Sequence, residues 1–192
     1  MRLPSVSETL QNLAQALDRS HLDYMLIGGY ALPAYGLIRA TVDIDIAIFM
    51  KSQDPIQLKK ELEKAGFQVS SFTEDTPCFI LTNVKTATEI EVWAKPDGIT
   101  LDAECLRRRR KVNIAESKFW IIGPEDFIVN KLARRDRRSQ DEVDVLSVLE
   151  NNKLKLDVDY LYAVAESASV LPLLKALQKK SKMKIGLTVP DR

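Results

Sequence analysis

The chain has one histidine, His21, and two cysteines, Cys78 and Cys105, in 192 residues. A single imidazole cannot build a typical zinc site and argues against a histidine-dependent hydrolase; His21 reads as a surface residue at a helix end. The cysteines have no metal-ligand spacing and need no partner, which suits a reducing, cytoplasmic setting. No apolar run approaches a membrane span, and the opening MRLPSVSETLQNL lacks the apolar core of a signal peptide, so no membrane association is expected. Charge of one sign is also missing: 28 basic against 27 acidic residues leave a formal net charge of +1. No global field draws the chain to nucleic acid, and any basic function must be local. Repeats and low-complexity tracts are absent. The length suffices for one α/β core plus a modest helical addition, without metal or disulfide support.

What is present concentrates between Leu26 and Phe49, in LIGGYALPAYGLIRATVDIDIAIF. Residues Val42 to Phe49 alternate, with Val42, Ile44, Ile46 and Ile48 on one strand face and Asp43, Asp45 and Ala47 on the other. The two aspartates therefore point the same way, with Cα atoms roughly 6.5–7 Å apart. Like charges on one face raise each other's pKa unless a cation offsets them, and a divalent metal is the simplest remedy. An exposed strand face whose acids pair with lysine or arginine is the alternative reading. Thirteen residues earlier, Gly28-Gly29 follows the apolar strand Tyr24–Ile27. Glycine lets a ligand approach the main chain, and a short helix opening at Tyr30 offers free N–H groups to an anion. Phosphate donors beside a metal site are what nucleotidyl transfer requires.

Elsewhere Ser5 and Glu8 resemble a capping box, followed by the helical stripe Leu10, Leu13, Ala14 and Leu17. Asp54-Pro55 opens a helix that Gly66 closes. Strands are expected at 67–72, 78–82, 89–93 and about 118–122, with a turn at Lys95–Gly98. Helices then follow: one after Gly123, one capped by Ser139 and Glu142, and two near 157–168 and 171–182. The expected fold is α/β (α+β), a mixed central sheet flanked by helices and followed by a C-terminal helical region. Residues 1–122 form the core and 123–192 the helical region.

A two-metal site wants a third carboxylate from another strand, as metal ligand or general base. Glu89-Ile90-Glu91-Val92-Trp93 supplies it, and Glu91, set between two apolar residues, is preferred; the alternative is a solvated edge-strand glutamate. Arg39 can fork onto phosphate oxygens and Thr41 can bond a phosphate or a carboxylate, or either can anchor the loop. Lys131, one turn after Phe127, borders an apolar helix face and wants an anion, either a triphosphate or Asp144. Arg107–Arg110 with Lys111, and Arg134, Arg135, Arg137 and Arg138, suit solvated helix ends or an RNA backbone. Trp93 and Trp120 read as core residues rather than base-stacking platforms.

Ile27-Gly28-Gly29, the thirteen-residue gap and Asp43-Ile44-Asp45-Ile46 resemble the DNA polymerase β-like nucleotidyltransferase superfamily. The longer pattern, adding Gly36, Arg39 and Thr41, looks like its AbiEii-type branch of small prokaryotic nucleotidyltransferases, often toxins of toxin–antitoxin pairs. Lys131-Leu-Ala133, Arg135, Arg137 and Asp141-x-x-Asp144 resemble, with looser spacing, that branch's second block. The resemblance implies Mg2+ or Mn2+ held by Asp43, Asp45 and Glu91, which carry the catalysis. It implies an NTP, ATP for instance, bound by Gly28, Gly29, Arg39, Thr41, Lys131 and Asp144. The acceptor hydroxyl would belong to tRNA, another RNA or a protein, with an antitoxin protein as a possible partner. A small hydroxylated antibiotic as acceptor, or a non-catalytic member that binds nucleotide or a partner, are the alternatives.

Overall fold

A computed structural model describes residues 6–37, 41, 43–50, 55–73, 75–114, 117–151 and 153–181. Helix α1 (Val6–Arg19) buries the anticipated stripe Leu10, Leu13, Ala14 and Leu17. Strand β1 (Tyr24–Ile27) follows and is buried at all four positions, as a central strand should be. It runs directly into a 3-10 helix over Gly28–Tyr35, which ends at Gly36 with a left-handed φ of 77°. Then come β2 (Ile44–Ile48), α2 (Pro55–Lys64), β3 (Phe67–Val69), β4 (Cys78–Asn83) and β5 (Glu89–Trp93).

With β6 (Arg110–Ile114) and β7 (Ser117–Ile121), the strands form one seven-stranded sheet in the order β3-β4-β5-β2-β1-β7-β6. Strand β1 is antiparallel to β2 and parallel to β7, while β2 is parallel to β5. The sheet is therefore mixed, as the alternation of helices and a meander predicts. Two elements were not foreseen. Helix α3 (Ala103–Arg108) spans six residues and is N-capped by Asp102, whose carboxylate accepts the Cys105 N–H at 2.9 Å. Edge strand β6 (Arg110–Ile114) places charge on its open rim, where lysine discourages further pairing.

This arrangement consumes the first arginine run. Arg107 and Arg108 pair with Glu104 at 2.6 Å, and Arg108 reaches Asp157 at 2.7 Å and lies over the Tyr160 ring. Arg109 donates to the Tyr24 carbonyl at 2.7 Å and to Asp23 at 2.9 Å. Only Arg107 of these three resembles a solvated helix end; the others tie α3 to the sheet and to the later helices. Trp93 and Trp120 are half-buried against the core, the latter under the Arg109 guanidinium.

Helix α4 (Pro124–Ala133) is buried along residues 124–132, so its sequence reads as apolar and charged at once. Tyr35 stacks edge-on against Phe127 and donates to the Ile122 carbonyl. Helices α5 (Ser139–Leu149), α6 (Val158–Ser167) and α7 (Leu171–Lys180) complete the chain. Helix α5 starts at Ser139 as expected, but Asp141 rather than Glu142 closes its first turn, taking the Arg138 N–H at 2.9 Å. No described helix is long and apolar enough to cross a membrane.

The first turn of α4 holds α6 by buried acids. Glu125 accepts the Asp157 N–H at 2.8 Å, and Asp126 accepts the Tyr160 hydroxyl at 2.9 Å. Burial pushes the Asp126 carboxyl up from 3.8 to about 6, against the opposing pull of the Tyr160 hydroxyl. A carboxyl whose folded pKa is raised contributes stability below its unfolded pKa and loses it as pH rises through the folded one. Asp126→Asn should therefore gain on the wild type between pH 4 and pH 7, by at most about 3 kcal/mol. Urea melts of both proteins at pH 4.5 and 7.5 test this; a pH-independent difference contradicts it.

Candidate active site

Strand β2 carries Asp45 to the end of the sheet where β1 gives way to the 3-10 helix, and Asp43 just precedes the strand. Asp45 is flanked in register by Ile27 of β1 and Glu91 of β5. The sheet's own hydrogen-bonding pattern thus sets a carboxylate on each of two adjacent parallel strands, side by side. Burial first and the neighbouring Glu91 charge second raise the Asp45 carboxyl to about 6, while Arg134 and Lys131 oppose the shift. Asp43 stands one residue ahead of β2 and is exposed, and Glu89, the alternative acid, is exposed on β5.

Gly28 explains why the glycine turn must adjoin the acids. Its φ is +64°, and a Cβ there would overlap the Asp45 carboxylate and lie 3.0 Å from its Cγ. Gly28→Ala would force the carboxylate aside as well as strain the backbone. Misplacement of a reacting group by about 1 Å costs about 100-fold in rate, which sets the expected loss of transfer activity, with a smaller fall in thermal midpoint. Full activity in the variant would show that the close approach is without consequence.

A cleft of about 440 Å³ gathers Gly29, Thr41, Asp43, Asp45 and Glu91 from the sheet side and Lys131, Arg134 and Asp141 from the helical side. An adjoining hollow is lined by Gly28, Trp93, Asp97, Asn130 and Arg134, with Asp45 common to both. Thr41 touches the Asp43 carbonyl only at 3.5 Å, leaving its hydroxyl weakly held. Arg39 lies outside the described residues. Lys131 is only 3 % exposed and is gripped by Asp141 at 2.8 Å and Asp144 at 3.1 Å. Asp144, as buried, also accepts from Gln140 at 3.0 Å. The structure therefore joins Asp43, Asp45, Glu91, Gly29, Thr41 and Lys131 in one cleft, puts Gly28 under Asp45, and seats Asp144 with Lys131 in the α4–α5 packing.

Residues that sequence reasoning passed over are Asp136, Asp97 and Asn130, while Arg134 was named only within the second arginine run and Asp141 only within the Asp141-x-x-Asp144 block. Asp141 had a local signal, since it lies ten residues after Lys131 at the start of a capped helix. Asp97 and Asn130 had none, because they meet only through the fold, where Asn130 donates to the Asp97 carbonyl at 2.9 Å.

The donor set suits a hard divalent cation: every candidate ligand is a carboxylate oxygen, and the Asp45–Glu91 pair is under mutual repulsion that a cation would relieve. Among the described residues, no three acidic, histidine or cysteine side chains converge into a metal cluster by themselves.

A mixed sheet with paired acids beside a glycine turn, closed by helices across the cleft, is the architecture of a nucleotidyltransferase. Residues 6–172 match the family described as "Nucleotidyl transferase of unknown function (DUF2204)", and the chain belongs to that family. It is accordingly a nucleotidyltransferase, and enzymes of this fold generally use divalent metals. No curated protein matches the chain. Among solved structures, it is similar to the lincosamide antibiotic adenylyltransferase LnuA in its lincomycin-bound form (TM-score 0.53, 15 % identity, 77 % of this chain and 98 % of that one). It is also similar to an antigenic nucleotidyltransferase-like protein from Paracoccidioides brasiliensis (0.52, 23 %, 94 % of each). The antibiotic-resistance factor ANT(2'')-Ia is a third (0.57, 14 %, 91 % and 97 %). At these identities the likeness is one of fold.

Proposed function

We propose that this enzyme moves a nucleoside monophosphate from an NTP to the hydroxyl of a small acceptor, with Asp43, Asp45 and Glu91 as the catalytic carboxylates. The observation that carries the reading is the Asp45–Glu91 pair, set in register on adjacent strands, with Asp45 close against Gly28. A divalent cation such as Mg2+ or Mn2+, held by these carboxylates, would supply neutralisation of the phosphate charge. Glu91, half-buried on β5, takes the proton of the acceptor hydroxyl. The acceptor oxygen bonds to the α-phosphorus, the bond to the bridging oxygen breaks, and pyrophosphate leaves. The N–H groups of the Gly28-Gly29 turn, with Thr41, contact the phosphates.

A small acceptor is favoured because the densest basic run is partly spent internally: Arg108 pairs with Glu104 and Asp157, and Arg109 with Asp23 and the Tyr24 carbonyl. The fold likeness to LnuA and ANT(2'')-Ia, an antibiotic adenylyltransferase and an antibiotic-resistance factor, accords with this choice. An RNA or protein acceptor, a toxin role with a cognate antitoxin, and membership of the AbiEii-type branch rest on the motif resemblance, chiefly Gly28-Gly29 to Asp45 and the Lys131–Asp144 block. To test the reading, the protein is incubated with Mg2+, each α-labelled NTP and, separately, total tRNA, cell lysate, and panels of aminoglycosides and lincosamides. Label on a small molecule with release of pyrophosphate is expected. Label on RNA or protein would move the acceptor to that class, and no NTP binding or label transfer at all would overturn the reading.

A further inference from the structure

The helical wall of the cleft presents three cations, and they are not equivalent. Lys131 has both of its partners inside the α4–α5 packing. The Arg138 side chain is 78 % exposed, and its guanidinium meets Asp136 only at 3.8 Å. Arg134 is the one that stands between the two hollows, lining both together with Asp45 and Asp136. Its backbone is fixed at the C-cap of the buried helix α4, while its side chain lines the cleft on the same hollows as Asp45.

What holds Arg134 is weak. Its Nε and Nη2 donate to the two oxygens of Asp136 at 3.1 and 3.2 Å, a forked contact two residues away along the chain. Asp136 is 57 % exposed in its side chain, so the pair is screened by water and is easily exchanged. A triphosphate carries more charge than one carboxylate and offers the same planar fork of oxygens that a guanidinium prefers.

We propose that Arg134 is the phosphate-binding arginine of this site, and that Asp136 holds it in reserve as an internal competitor which the nucleotide displaces. The inference rests on the nucleotidyl-transfer reading above. The guanidinium exchanges the carboxylate oxygens of Asp136 for phosphate oxygens without moving the helix that carries it. Asp136 thereby lowers nucleotide affinity in the resting enzyme, and the same carboxylate recaptures Arg134 when pyrophosphate leaves.

The test is a two-by-two set of variants titrated calorimetrically with a non-hydrolysable NTP and, separately, with inorganic pyrophosphate, both with Mg2+. Arg134→Ala should weaken both ligands by about tenfold or more, since a charge-assisted contact is lost. Asp136→Asn should do the reverse and tighten binding by about threefold, and should have no effect in the Arg134→Ala background. Thermal midpoints close to wild type verify the fold of each variant. Unchanged affinity in Arg134→Ala, or weaker binding in Asp136→Asn, overturns the inference while leaving nucleotidyl transfer standing. Failure of the folded wild type to bind any NTP overturns both, and the wild-type titration alone reports it.

Discussion

Replacing Asp45 by Asn should abolish nucleotidyl transfer and at the same time make the metal-free protein more stable. The loss of activity follows from its place between Gly28 and Glu91, where a charged carboxylate is needed to hold a cation against the phosphates. That electrostatic contribution is several kcal/mol, so the rate should fall by about 1000-fold or more. The gain in stability follows from the cost of keeping the charge without a cation. The Asp45 carboxyl is raised to about 6 by burial and by Glu91. A raised carboxyl stabilises the fold relative to its ionised form only below its unfolded pKa, and that contribution is gone once pH exceeds about 6. Asn removes the charge at every pH, so the variant should gain about 1–3 kcal/mol over wild type at pH 8 and little at pH 4.5. Added Mg2+ with NTP should then raise the wild-type midpoint and leave the variant unmoved. Denaturant melts in chelator at the two pH values, with transfer assays in parallel, give both halves. A variant that is inactive but less stable at pH 8 would mean that Asp45 is held by protein partners and not kept for a ligand.

The parts of this site that could be read from the chain are those whose logic is local. Asp43 and Asp45 advertise themselves because acids alternate with isoleucine within eight residues, and Gly28 because a glycine pair ends an apolar strand. Glu91 could be chosen by type, an acid between Ile90 and Val92, yet its position opposite Asp45 depends on β2 and β5 pairing in parallel, which no local pattern specifies. The arginines were misjudged for the same reason. Arg108 and Arg109 look like surface charge in sequence, and only the return of α6 and the end of β1 supply Asp157 and the Tyr24 carbonyl that bury them. Helix α3 escaped notice because six residues carry too little periodicity, and β6 because its alternation of Val112 and Ile114 is hidden among Arg110, Lys111 and Asn113. Lys131 was legible as a lysine wanting an anion, with Asp144 as one choice; that Asp141 answers it as well follows from helix packing, not from spacing alone.

That packing sets the second large effect, expected for Lys131→Met. The ammonium is 3 % exposed and is bonded to Asp141 and Asp144, which are 7 % and 3 % exposed in their side chains. Removing one member of a buried ionic cluster leaves the others charged, desolvated and unpaired, at a cost of about 3–5 kcal/mol. Asp141 feels this most clearly. Burial would raise its carboxyl, but the Arg138 N–H and Lys131 bonds hold it below its usual value. A lowered carboxyl stabilises above its unfolded pKa and loses that stability as pH falls, so part of the wild-type advantage over Lys131→Met should shrink on acidification below about pH 4. Neutralising the partners in the triple variant Lys131→Met, Asp141→Asn, Asp144→Asn should recover much of the loss, because amides keep the cap to Arg138 and the bond from Gln140. The triple variant also separates the two duties that this lysine can have. If Lys131 serves only to lock α4 to α5, the refolded triple variant binds NTP as the wild type does; if it also reaches the phosphates, stability returns while nucleotide affinity stays about tenfold weaker. Urea midpoints and NTP titrations on the same three proteins decide between these, and a single Lys131→Met variant as stable as wild type would remove the buried cluster from the account.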